Sequence, residues 1–173
     1  MADVDDWVHR FHAGTVSATA AGILDVDPGK SWPVRVLGRL MRLPPPAMGQ
    51  AARLRIVRRA EGASVHERWI RTFGAVSLAT RQIRTGERIA ERIGPVELRM
   101  RCRATTSDIW FIPAGAAVIV GRLRFRLPDP VAPQAYAHAW SSGDGAFDVE
   151  VSVRIPLLGV LMSYRGHFME ADE

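Results

Sequence analysis

Hydrophobic and charged positions alternate with a period of two along much of this chain. From Val96 to Ala104, one set reads Val96, Leu98, Met100, Cys102 and Ala104, and the other Glu97, Arg99, Arg101 and Arg103. Successive strand side chains point to opposite sides, so the pattern predicts one face in a core and one in water. Leu123, Phe125 and Leu127 stand the same way against Arg122, Arg124 and Arg126. Phe147, Val149, Val151, Val153 and Ile155 oppose Asp148, Glu150, Ser152 and Arg154. Strands are predicted over residues 15–26, 52–60, 64–73, 76–83, 88–93, 95–105, 108–112, 117–127, 134–141, 146–155 and 160–169. Gly- and Pro-bearing turns divide them, among them Glu61-Gly62, Gly94-Pro95 and Pro113 to Gly115. Ser142-Gly143-Asp144-Gly145 carries a hairpin signal.

Two short helices are predicted near the N-terminus. Trp7, Val8 and Phe11 have helical spacing, which places one over residues 4–12. After the turn Asp27-Pro28-Gly29, Ser31 can cap a second over 31–43, with Pro33 in its first turn and Pro44-Pro45-Pro46 beyond its end. Val36, Leu37, Leu40 and Met41 form one stripe on it, and Arg35, Arg39 and Arg42 another. Such a helix either caps an open end or face of the sheet or lies on a membrane surface or a partner. Its shortness, and the lack of a large aromatic anchor beyond Trp32, favour the cap.

These elements predict a mainly β protein. The expected architecture is a single antiparallel β-barrel, or a strongly curved sheet, with one or two short N-terminal helices. One domain is expected over 1–173, and 47% apolar residues suffice for a sizeable core.

Cys102 is the only cysteine, so no intrachain disulfide can form, which points to a reducing compartment. The acidic stretch Met1 to Asp6 opens no apolar run of the kind a signal peptide carries. No apolar stretch approaches the roughly 20 residues that cross a bilayer. A cytoplasmic location is the expectation.

The net charge of +5 raises nucleic acid as a partner. However, Lys30 is the only lysine among 23 basic residues, a skew that codon usage in a GC-rich genome produces without a selected binding face. The arginines are also spread over many strands with acids interleaved, and lack the aromatics of an RNA-stacking sheet. No nucleic-acid partner is expected.

A few polar residues fall on faces predicted to point inward. Glu67 and Arg71 share a face with Trp69 and Phe73, and Glu91 lies between Ile89 and Ile93. A buried carboxylate or guanidinium costs several kcal/mol unless it is paired. Arg71 therefore either bridges Glu67 or Glu91 and fixes strand register, or belongs to a cluster that grips a ligand's polar end. In the second case one of the carboxylates could serve as a general acid or base.

Tyr136, His138 and Trp140 alternate with Ala135, Ala137 and Ala139. With the small face inward this strand leaves room for a ligand; with the bulky face inward, Tyr136 and His138 could hydrogen-bond to a carbonyl. Tyr164 shares a face with Met162 and Phe168. The other histidines, His9, His12, His66 and His167, lack metal-ligand spacing with Cys102. There is no nucleophile elbow, no Ser-His-Asp order, no phosphate loop and no dinucleotide fingerprint. The candidate ligand-binding set is thus Glu67, Trp69, Arg71, Glu91, Tyr136, His138 and Tyr164. No catalytic residue is assigned, and no metal or cofactor is expected.

Three segments carry a family resemblance: Glu67-Arg68-Trp69-Ile70-Arg71-Thr72-Phe73-Gly74, the run from Gly86 to Pro95, and Phe147 through Ile155-Pro156-Leu157-Leu158-Gly159 to Tyr164-Arg165-Gly166. In these the chain resembles a bacterial domain family of unknown function that occurs alone or fused behind saccharopine-dehydrogenase-like reductases. In architecture it is similar to small β-barrel cyclases of polyketide biosynthesis, including spirotetronate and polyether pathways, which fold a flexible polyene in an apolar cavity. That similarity implies a cofactor-independent cyclase of the cycloaddition type, acting on a large apolar polyketide-like intermediate. The alternative is a non-catalytic binding module for an apolar small molecule or lipid. In either case the expected partner is an apolar small molecule, and the sequence leaves open whether the chain works as a monomer or a homodimer.

Overall fold

The computed structural model describes residues 6–40, 43–143 and 145–171. Within these residues two helices and eleven antiparallel strands begin in the order α1 (Asp6–Ala13), β1 (Ala18–Pro28), α2 (Trp32–Leu40), β2 (Ala47–Glu61), β3 (Ser64–Phe73) and β4 (Val76–Thr85). Then come β5 (Arg88–Ile93), β6 (Val96–Ala104), β7 (Asp108–Val120), β8 (Leu123–Arg126), β9 (Gln134–Gly143), β10 (Ala146–Ile155) and β11 (Gly159–Glu170). Neighbours run β6-β5-β4-β3-β2-β1-β11-β10-β9-β7, and β7 pairs with β6 to close the ring. Ten strands thus form a closed barrel, which leaves no open sheet edge along the ring. Each strand turns its apolar set inward, and Leu24, Ile56, Phe73, Ile109, Phe147 and Phe168 form the buried centre.

The segment 108–127 departs from the predicted pair of strands divided at Pro113 to Gly115. Asp108–Val120 is one strand that passes through those residues in a bulge, where the ladder with β6 skips from Met100↔Pro113 to Arg99↔Gly115. Pro113 has no N–H to give to the ladder, and Gly115 takes φ 124, so the extra residue is absorbed there. β7 then has one edge left and divides it. Its first part, Asp108 to Phe111, pairs with β9, and its last part, Ala117 to Val120, pairs with β8.

β8 is therefore an appendage outside the ring. Leu123 and Phe125 are 62% and 53% exposed, which corrects their placement in the core; only Leu127 packs against it. Alternation predicts a face, and a strand outside a closed ring has no inner face to offer.

Close approach explains Gly22 on β1. A Cβ there would collide with the backbone carbonyl of His167 on β11, so only glycine fits where these two strands meet.

α1 enters the barrel and plugs one end. Val8, Phe11 and His12, at helical spacing, are buried among Trp69, Phe111 and Phe147. The start of the predicted 4–12 helix lies outside the described residues. α2 packs against β11, burying Val34 and leaving Trp32 and Val36 exposed. It covers the barrel wall through Val34 and not through the predicted stripe, whose Val36 is exposed; Met41 and Arg42 of its predicted end lie outside the described residues. β9 and β10 are joined in the expected hairpin, of which Asp144 also lies outside. Among the described residues no helix is long and apolar enough to cross a membrane.

Candidate functional site

Below the α1 plug lies a cavity of ≈ 100 Å³, partly open to solvent. Most of its wall is apolar: Leu54, Phe73, Leu98 and Met100 on one side, Val149, Val151 and Met162 on the other. Ala135, Ala137 and Ala139 of β9 also line it, so of the two orientations that alternation allowed, the small face points in. Space exists here because this strand contributes only methyl groups.

One corner of the cavity is polar. Arg71 on β3 donates from Nη1 to Thr80 Oγ1 on β4 (2.8 Å) and from Nη2 to Glu91 Oε1 on β5 (3.0 Å). Thr80 donates to the same carboxylate oxygen at 2.7 Å. The three strands are consecutive in the ring, so register alone brings these side chains together. Arg71 lies over the Trp69 ring, 4.9 Å from its centroid, with the Tyr164 hydroxyl of β11 nearby.

Burial opposes the Arg71 charge, but Glu91 and Tyr164 outweigh it and hold the guanidinium protonated. Burial raises the Tyr164 pKa, with Glu91 adding to the rise and Arg71 opposing it, so the phenol stays neutral. A neutral phenol beside a guanidinium has its own O–H to donate.

His12 hangs over the cavity from α1. Its Nδ1 lies 3.2 Å from the Val8 carbonyl, which can only accept, so the proton sits on Nδ1 and Nε2 is left as an acceptor. Burial drives its pKa down to about 3, with Arg58 and Arg71 lowering it further against the Val8 hydrogen bond. The ring is neutral at physiological pH.

A second polar cluster anchors the plug. Glu67 accepts from Arg58 Nε at 2.9 Å and from Trp69 Nε1 at 2.7 Å, and Arg84 Nη2 stands 3.6 Å away. Arg58 in turn donates to the carbonyls of Arg10, Phe11 and Val16, and Arg84 to that of Gly14. Arg10 and Phe11 lie in the last turn of α1, where the helix dipole also favours a cation. Glu67 thus holds two arginines that hold the helix.

Of the seven candidate residues, Trp69, Arg71, Glu91 and Tyr164 surround the cavity. Glu67 is buried but belongs to the plug anchor. Tyr136 and His138 lie on the outer face of β9, which corrects the inward alternative. Tyr136 stacks with Arg154, while His138 lies between Trp110 (3.6 Å) and Trp140 (4.6 Å) and bonds Asp108 at 2.7 Å. That bond, more than those from Ser107 and Thr105, lowers the Asp108 pKa.

Sequence reasoning missed His12, Arg58, Thr80 and Arg84. The signals were present for two of them: His12 is four residues after Val8 on the same helical face, and Arg58 follows Leu54 and Ile56 in the inward alternation of β2. No cluster of three or more His, Cys, Asp or Glu among the described residues could hold a metal ion.

The fold and site together define a closed ten-strand antiparallel barrel with a helical plug and an apolar cavity that has one polar corner. The chain belongs to the family described as Domain of unknown function (DUF4166), whose model matches residues 6–168. No curated protein and no solved structure matches it.

Proposed function

We propose that the barrel binds an apolar small molecule in its cavity and orients it by hydrogen bonds at the polar corner. The observation that carries this reading is the cavity itself. Interiors are normally packed to crystal density, and here a continuous void is kept open against an alanine strand. Its apolar wall and few convergent polar groups are what ligand sites present. At ≈ 100 Å³ it accommodates a ring or a short chain, and a longer ligand would extend through the open side.

Titration with Nile red, a neutral apolar fluorophore, tests the proposal. Wild type should give saturable, blue-shifted emission, and Ala137→Leu, which fills the void, should abolish it while remaining folded. No saturable binding to wild type would overturn the reading.

A cyclase is the second reading, favoured by the Tyr164 O–H and the Arg71 guanidinium on one side of the cavity. Two preorganised donors of this kind polarise a carbonyl and stabilise negative charge that develops on it, while the walls hold a chain in a reactive fold. Conversely, His12 is too weak a base, and Glu91 is occupied by Arg71 and Thr80. Binding is therefore the better supported step. Accelerated closure of a linear polyene enone, lost in Tyr164→Phe, would support turnover; no acceleration over buffer would exclude it for that substrate.

A further inference from the structure

We infer that the ligand's polar end is uncharged, so that the barrel takes ketones, enones or alcohols with apolar bodies and discriminates against fatty acids and amines. This rests on the ligand-binding reading above and adds the charge class of the ligand to it.

The charges on the cavity wall cancel. Two of its lining groups are ionised, Arg71 and Glu91, and they neutralise each other at 3.0 Å. Their side chains keep only 13% and 10% of their surface, so the pair is desolvated and cannot borrow a counterion from water. His12 and Tyr164 line the same space in neutral form. The wall therefore sums to zero.

A ligand carboxylate would place a second anion against one guanidinium, beside the carboxylate of Glu91. An ammonium would face Arg71. Either leaves a buried charge without compensation, which is the costliest outcome in such a medium. The arginines of the plug anchor do not line the cavity: Arg58 donates to Glu67 and to the carbonyls of residues 10, 11 and 16, and Arg84 Nη2 to that of Gly14.

Neutral polar groups find complementary partners. The Tyr164 O–H can donate to a carbonyl oxygen, and His12 Nε2 can accept from a hydroxyl. His12 is buried and Tyr164 partly buried, so a matching group gains hydrogen bonds that an apolar one cannot.

Competition of Nile red on wild type by four ten-carbon compounds at neutral pH tests this: 2-decanone, 1-decanol, decanoate and decylamine. The ketone and the alcohol should displace the probe at concentrations at least about tenfold below those of the two ions. Glu91→Gln keeps an acceptor for Arg71 and Thr80 but removes the paired anion, and should improve decanoate by roughly tenfold relative to 2-decanone. Decanoate matching or exceeding the ketone on wild type would overturn the inference while leaving ligand binding intact. No binding of Nile red or of any competitor would overturn the ligand-binding reading, and this inference with it.

Discussion

Arg58 on β2 and Glu67 on β3 face each other in the barrel lumen, 2.9 Å apart, with both side chains fully removed from solvent. Burial lowers the Arg58 pKa, and the neighbouring Glu67 carboxylate opposes that fall. The pair is also mechanical: Arg58 reaches from Glu67 to the last carbonyls of α1, so the carboxylate fixes the plug through an intermediary.

Glu67→Ala should leave two buried guanidinium groups without their anion and cost roughly 3–5 kcal/mol. Urea unfolding measures that loss, and hydrogen exchange should show α1 amides opening before those of β3. Arg124→Ala, which removes an exposed partner of Glu97, should cost no more than about 1 kcal/mol. Equal costs for the two variants would mean that Glu67 does not hold the plug.

Acid should weaken the fold through His12. Its folded pKa, about 3, lies below the ordinary 6.5 because burial disfavours the imidazolium. Between these values the unfolded chain takes up a proton that the folded one refuses. Stability is therefore complete above pH 6.5 and is lost progressively as pH falls toward 3. From pH 7 to pH 5 this amounts to about 2 kcal/mol. Urea midpoints at the two pH values should differ more for wild type than for His12→Phe; parallel shifts would place the acid sensitivity elsewhere.

Gly22→Ala should disrupt the barrel, because its Cβ meets the His167 carbonyl and backbone on β11 has nowhere to yield. A loss of more than about 3 kcal/mol is expected, seen as a fall in melting temperature or as insoluble expression. Gly62→Ala provides the comparison. Nothing lies within 4 Å of a Cβ there, and only the positive φ of 58° resists the change, so the cost should be nearer 1 kcal/mol.

Tyr164→Phe separates binding from stability. The ring still packs edge-on against Phe73 and the lost hydroxyl leaves Arg71 its bonds to Thr80 and Glu91, so the fold should lose only about 1 kcal/mol. Affinity for 2-decanone should fall roughly fivefold to tenfold in a Nile red competition. Unchanged affinity would remove Tyr164 from the ligand's partners.

The sequence by itself determined which face of most strands is buried. The alternation at 96–104 and 147–155 has physical force because a pleated strand sends neighbours to opposite sides, and that needs no knowledge of partners. The same local rule placed Trp69, Arg71 and Glu91 inward, and the helical spacing of Val8 and Phe11 made α1 amphipathic.

Partners in space were beyond it. Whether Arg71 meets Glu67 or Glu91 depends on the register between β3, β4 and β5, where a slip of one residue moves every side chain to the other face. Arg58 claims Glu67 only because β2 and β3 pair as they do. The misreading of Leu123 and Phe125 has the same origin: pattern identifies an apolar face, but ring closure between β6, β7 and β9 decides whether a strand has an inside. The inward turn of Ala135, Ala137 and Ala139 was likewise open in the pattern, since either face of that strand could be buried. The cavity is the sum of such choices by several strands, and a sum over side chains far apart in the chain exists only after folding.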